Sequence, residues 1–288
     1  MVLKMNPTIS VLVFLLVGGF CINCGELWCY DKPDCDPNTW ASLGYCGGKK
    51  QSPINIVTRK ALSDSSLGHI RFLGYEDRMK PKVLKNTGHY PDIRMASGAS
   101  ISSPGLPGTY ALKSFHFHWG TYMYPGSEHA IDGLQYPMEL HIVHTKNNMS
   151  EEEAKKDPEG FAVLGFFLKK SSKAPIVSAW KTLGKFLERI PEKGNSVNLH
   201  GEFSLGALLN TVDTKTYYRY HGSLTTPDCN EAVIWTIFPE PIEIHHTVFK
   251  RFTKSMYFTN KKEKRPMQNN YRPLQFLNNR KVLRFTEK

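Results

Sequence analysis

Ser114-Phe115-His116-Phe117-His118-Trp119-Gly120 interleaves aromatic rings with two histidines and contains no proline. Aromatic side chains fit a pleated, half-buried surface, so the stretch predicts a β-strand. Side chains alternate along a strand. His116 and His118 therefore share one face, and Phe115, Phe117 and Trp119 share the other. A His-x-His pair alone suits a solvated polar face as well as half of a metal site. Glu139-Leu140-His141-Ile142-Val143-His144 reads as a second strand, with Glu139 and His141 on one face and Leu140 and Ile142 on the other. If the two strands are neighbours, His141 supplies a third imidazole.

Three neutral imidazoles with one open position are what a catalytic zinc needs, and carbonic anhydrase is the standing example of such a site. Four motifs in this chain resemble the α-class carbonic anhydrases: SFHFHWG, Ser127-Glu128-His129, MELHIVH from Met138, and GSLTTPDC from Gly222. The resemblance runs from about Trp28 to about Phe285, and within the family it is greatest to the extracellular, membrane-associated or secreted vertebrate isozymes. It implies a mainly β (α+β) fold: one domain, a large central twisted and mostly antiparallel sheet, and short peripheral helices. It also implies a zinc enzyme that hydrates carbon dioxide reversibly to bicarbonate and a proton and binds sulfonamide-type inhibitors. The alternative is a carbonic-anhydrase-like binding domain without catalysis, which is known where a ligand histidine has been lost. No His-Glu-x-x-His run points to a peptidase.

Residue by residue, the resemblance makes His116, His118 and His141 the Zn²⁺ ligands. His89, in Asn86-Thr87-Gly88-His89-Tyr90, becomes the proton shuttle, a task suited to a group that titrates near neutral pH. Glu128 accepts the hydroxyl proton of Thr225, and Thr225 in turn orients the hydroxide nucleophile. Val143, Val163, Leu224 and Trp235 form the apolar wall for carbon dioxide, with Thr225 and Thr226 as substrate contacts. Tyr220 supports the Thr225 hydroxyl network. Ser114, Glu139 and Asn270 support the ligands, one each for His116, His141 and His118. Ser114 is shorter than the glutamine many relatives carry, and Thr87 stands where many carry asparagine. His129 and His144 read as structural histidines.

At 288 residues, 40% hydrophobic and 12% aromatic, the chain has ample material for a core. No linker or repeat divides it. The formal net charge is +11, but twelve of the 37 basic and only two of the 26 acidic residues lie in the last 39 positions. No nucleic-acid motif accompanies that charge, so nucleic acid is not an expected partner. A weak contact with anionic membranes or glycans is the functional reading of the basic C-terminal region, and a solvated surface the plainer one.

Residues 1–24 read as a secretory signal: Lys4 in the n-region, an apolar run from Val11 to Val17, then small residues. The carbonic anhydrase domain is then 25–288. Cleavage removes Cys21 and Cys24 and leaves four cysteines with three possible pairings. Spacing favours Cys29–Cys35 as a local loop, leaving Cys46–Cys229, and this is the arrangement of the extracellular isozymes that the chain resembles. Asn148-Met149-Ser150 is a glycosylation sequon. The sequence as read to Lys288 has no apolar tail of the GPI type, which predicts a freely secreted form. Phe161 to Leu168 reads as a fully buried central strand, Ala179 to Ile190 as an amphipathic helix stopped by Pro191, and Glu151 to Ala154 and Ser204 to Leu209 as short helices.

Overall fold

The computed structural model describes residues 27–209, 212–260 and 262–287. The signal-like segment 1–24, with Cys21 and Cys24, lies outside the described residues. The strands in chain order are β1 (Asn55–Ile56), β2 (Leu62–Ser63), β3 (Arg71–Leu73), β4 (Pro81–Asn86), β5 (Pro91–Met95), β6 (Ser100–Ser102), β7 (Tyr110–Trp119), β8 (Ala130–Ile131), β9 (Met138–Lys146), β10 (Phe161–Ser171), β11 (Ser196–Asn198), β12 (Thr216–Gly222), β13 (Val233–His245) and β14 (Leu283–Thr286). The α-helices are α1 (Glu151–Ala154), α2 (Ser178–Leu187), α3 (Leu205–Leu209) and α4 (His246–Ser255).

One large sheet runs β11-β4-β5-β7-β9-β10-β13-β12-β14-β2, with β6 on β7 and β3 on β6. Its pairs are antiparallel except β10 with β13 and β14 with β2. The mostly antiparallel sheet and single domain agree with the expectation from sequence. The parallel β10–β13 pair at its centre explains why β10 is an unbroken apolar run: every residue from Phe161 to Leu168 is buried.

The alternation of β7 separates two functions. Phe117 packs against Trp180 of α2 and Phe252 of α4, at ring centroid distances of 6.0 and 5.0 Å. Trp119 also meets Phe252, and its indole N–H donates to the Met267 carbonyl at 3.0 Å. The aromatic face thus docks the helices, and the histidine face is left for the opposite side. Helix α2 buries Ala179, Trp180, Leu183 and Leu187, one stripe at helical spacing. It ends four residues before Pro191. Helix α1 is a single turn held by a reciprocal cap between Ser150 and Glu153.

His144 lies three residues beyond His141 on a regular strand and takes the other face. Its Nδ1–H donates to the Ala162 carbonyl (3.0 Å), which can only accept, so Nε2 accepts from the Tyr75 hydroxyl (2.6 Å). Burial pushes this imidazole from near 6.5 down to about 4. Above pH 6.5 it is neutral whether folded or unfolded and contributes no pH dependence. Below that, the unfolded chain binds a proton that the folded chain refuses. Stability therefore falls as pH drops from 6.5 to 4, by about 3 kcal/mol from this group. In urea titrations across this range, the stability gap between wild type and His144→Gln is expected to narrow as pH falls. A constant gap would contradict this assignment.

Candidate active site

Register brings the three imidazoles together. His116 on β7 pairs directly with His141 on β9, and His118 with Glu139. The ring centroids lie 5.0 Å apart for His116 and His118, 5.3 Å for His116 and His141, and 4.7 Å for His118 and His141. One nitrogen from each ring lies within 4.8 Å of the others. Burial, then the mutual proximity of the rings, holds His116 well below the ordinary histidine range. Burial also lowers His118, against the pull of Glu128. His116 and His118 are thereby favoured in the neutral form, the one that binds a cation.

Each of two rings has one nitrogen already engaged. His118 Nδ1–H donates to the Asn270 carbonyl at 2.7 Å, and its Nε2 is buried with no partner. A buried, unpartnered nitrogen costs about 1–3 kcal/mol unless something binds it. His141 Nε2–H donates to Glu139 Oε1 at 2.8 Å, which turns Nδ1 toward the cluster. Glu139 also receives the His129 N–H (2.8 Å) and bonds its Nδ1 (2.7 Å). Burial alone would raise the Glu139 carboxyl, but His129 and His141 outweigh it and hold it far below the usual range. Gly165, opposite His141, makes room for this carboxylate: a Cβ there would stand 2.6 Å from Ile237 and 3.0 Å from Glu139 Oε1. His129, Glu139 and His141 are also close enough to hold a cation. The bonds just described already use the facing atoms of that second group.

Glu128 is fully buried. Its Oε1 accepts the Arg272 backbone N–H at 2.8 Å, and its Oε2 has no partner. Thr225 is buried at the cavity edge, and no hydrogen bond joins it to Glu128 among the described residues. Tyr220 does not serve Thr225 as the sequence suggested: its hydroxyl lies 2.8 Å from Ser52 Oγ and 2.6 Å from His129 Nε2. Ser52 is tied in turn to Ser223, and the Arg272 guanidinium bonds Gln51, Ser52 and Cys46. Gln51, Ser52 and Arg272 were assigned no role from sequence, yet they fix the floor under the site.

Above the rings opens a cavity of about 220 Å³ with two unlike walls. Cross-strand register aligns Val143, Val163 and Trp235 on β9, β10 and β13 as one apolar row. Leu224, Thr225, Thr226 and Pro227 continue it on the loop after β12. That loop is fastened by Leu224 N–H to the Asn230 carbonyl (3.0 Å), by Trp235 Nε1–H to the Ser223 carbonyl (3.0 Å) and by the Cys46–Cys229 disulfide. The other wall is polar: Tyr90, Asp92 and Arg94 on and before β5, and Glu151 on α1. Arg94 Nε bonds Asp92 at 2.7 Å, and its NH1 bonds Glu151.

Ser114 lines the cavity on β7, two residues before His116, and Asp92 stands across from His116 on β5. His89 does not line the cavity: its ring stacks on Trp28, 3.8 Å between centroids at 14°. Asn148 is exposed in the turn after β9, its side-chain oxygen accepting from Lys113 at 2.7 Å. Both disulfides are formed as the spacing favoured, Cys29–Cys35 and Cys46–Cys229.

Residues 35–286 match the family model for the eukaryotic-type carbonic anhydrase. Among curated proteins, carbonic anhydrase 4 of Mus musculus is 37% identical over 270 residues, covering 89% of this chain and 84% of that protein. Carbonic anhydrase 15 of Mus musculus is 38% identical over 273 residues, with 88% and 82% covered. Carbonic anhydrase 12 of Homo sapiens is 34% identical over 265 residues, with 90% and 73% covered.

Proposed function

We propose how this chain, which belongs to the eukaryotic-type carbonic anhydrase family, divides the reversible hydration of carbon dioxide among its residues. It is an enzyme of that class, and carbon dioxide, bicarbonate and sulfonamide-type inhibitors are its family's ligands. Nothing favours a non-catalytic domain, since all three ring ligands, Glu128 and Thr225 are present.

His116, His118 and His141 would hold Zn²⁺, the reading carried above all by the buried, unpartnered Nε2 of His118 beside the His116 and His141 rings. When bound there, zinc supplies the Lewis acidity that lets a water ionise near neutral pH, a property established for carbonic anhydrases rather than deduced from this chain. Asn270 and Glu139 fix the tautomers of His118 and His141. Glu128 Oε2 accepts a hydrogen bond from the Thr225 hydroxyl, which leaves the Thr225 oxygen to accept from the attacking hydroxide and aim its lone pair. Carbon dioxide, which needs no hydrogen bond, rests on Val143, Val163, Leu224 and Trp235, and Thr226 meets the bicarbonate product. His89 carries the proton out. Zinc analysis of the purified protein, alongside a sulfonamide-sensitive hydration assay, tests the reading as a whole.

Two variants separate the roles. Glu128→Gln is expected to keep its zinc and lose about 10²-fold in kcat, the scale of one misdirected orienting bond. Full activity would remove Glu128 from the orientation of Thr225. His89→Ala is expected to lower kcat in weak buffer and to recover with added imidazole, with kcat/KM unaffected. Equal loss in every buffer would dismiss His89 as carrier.

The chain is read as secreted. Its two disulfides suit an oxidising compartment. Glycan at Asn148 is tested by a mobility shift on enzymatic deglycosylation. The basic C-terminal region makes at most a weak contact with anionic membranes or glycans, because four of its cations are used internally. Arg251 pairs with Glu188 and Arg265 with Asp31, while Arg272 and Arg280 bind backbone carbonyls. Retention on heparin at physiological salt tests that contact.

A further inference from the structure

Arg219 on β12 is 2% exposed, as buried as the aromatic residues around it. Its register partner is Thr236 on β13, and that of Tyr220 is Trp235. Strand alternation puts Arg219 and Thr236 on the face of the sheet away from Trp235 and the cavity. Arg219 Nε–H donates to Thr236 Oγ1 (2.9 Å) and Nη1–H to the Gly105 carbonyl (2.8 Å), and the guanidinium carbon lies 5.3 Å from the Tyr217 ring centroid. Nη2 is buried with no partner. Two residues before Gly105, the Ser103 hydroxyl is likewise buried with no partner.

The charge lacks a counterpart as well. Thr236 and Gly105 offer neutral acceptors, and the groups that act on the buried guanidinium are Tyr217 and Tyr110 rather than a carboxylate. The acids that bear on those two tyrosines are engaged elsewhere. Asp157 and Glu159, near Tyr110, pair with Lys146 at 3.1 and 3.9 Å. Asp64, near Tyr217, accepts from the Ser66 N–H at 2.9 Å. A guanidinium keeps its proton in proteins, so Arg219 does not escape burial by becoming neutral. A buried charge without a counterion is among the costliest groups a fold can hold. Water would satisfy the N–H groups of Nη2 and leave that charge unanswered.

We infer that Arg219 and Ser103 hold a small monovalent anion, chloride or bicarbonate, between β12 and the turn at residues 103–105, on the side of the sheet opposite the cavity. Both free groups are donors, which is what such an anion needs, and one negative charge matches the one positive charge. The inference is independent of the zinc reading. An anion held only by the folded chain stabilises it by mass action.

The test follows the melting temperature of the full chain as chloride replaces gluconate at constant ionic strength. Wild type is expected to gain about 3 °C more than Arg219→Gln for each tenfold rise in chloride beyond saturation. Anions bound at the metal site act on both proteins alike and cancel in that difference. A parallel series in bicarbonate identifies the occupant as the anion with the steeper rise. Should Arg219→Gln fail to fold, wild-type crystals grown in bromide decide alone: an anomalous signal beside Arg219 Nη2 and Ser103 Oγ sustains the site. Equal rises in the two proteins, or an ordered water at Nη2 with no bromide signal, would overturn it.

Discussion

His118→Ala is expected to lose bound zinc and hydration activity together. The substitution deletes the one ligand nitrogen that the fold buries without a partner, and it strands the Asn270 carbonyl that received the other side of the ring. Two imidazoles from separate strands remain, too few for a tight zinc site. The fall in activity should exceed the ~10–100-fold typical when a group that merely supports a ligand is lost. Glu139→Gln provides that milder comparison, because it weakens the hold on His141 Nε2 and His129 while leaving three rings in place. Zinc per chain and stopped-flow hydration rates, measured on the same samples, check the pair. A His118→Ala protein that still binds one zinc at full strength would mean that the metal is held elsewhere.

Removing the Cys46–Cys229 bridge is expected to have the largest effect on stability. The bond joins residues 183 apart in sequence. In the chain-entropy account, opening such a loop costs about 5 kcal/mol, against about 2 kcal/mol for the six-residue separation of Cys29–Cys35. The larger figure is a substantial share of the ~5–15 kcal/mol by which domains are stable at all. The consequence is also functional. Cys229 closes the loop that carries Leu224, Thr225 and Thr226, and its N–H donates to the Thr226 carbonyl at 2.8 Å. The double variant Cys46→Ser, Cys229→Ser should therefore melt well below wild type and hydrate carbon dioxide less well under conditions where both are folded. Equal melting temperatures for the two proteins would contradict the assignment of this bridge as a main stabiliser.

The parts of the site that depend on strand alternation were legible in the sequence. Period two placed His116 with His118 and Glu139 with His141, and the same alternation explains why Phe117 and Trp119 turn to α2 and α4. What sequence could not give was which strands are neighbours. The row Val143–Val163–Trp235 exists because β10 pairs antiparallel with β9 and parallel with β13, and no local pattern encodes that register. Side-chain choices among several polar partners were also illegible. Tyr220 has Ser52 and His129 within reach and takes both. The outward stacking of His89 on Trp28 depends on how the irregular N-terminal segment folds back, a long-range event that neither residue announces.

On the proposed reading, three imidazoles meet at one zinc with a corner left for solvent. Zinc K-edge X-ray absorption on the purified wild-type protein tests it most directly. The expected result is one zinc per chain in a four-coordinate shell of three histidine nitrogens and one light, exchangeable atom that sulfonamide displaces. A thiolate in the shell, a fourth side-chain ligand in the open corner, or no zinc at all would contradict it.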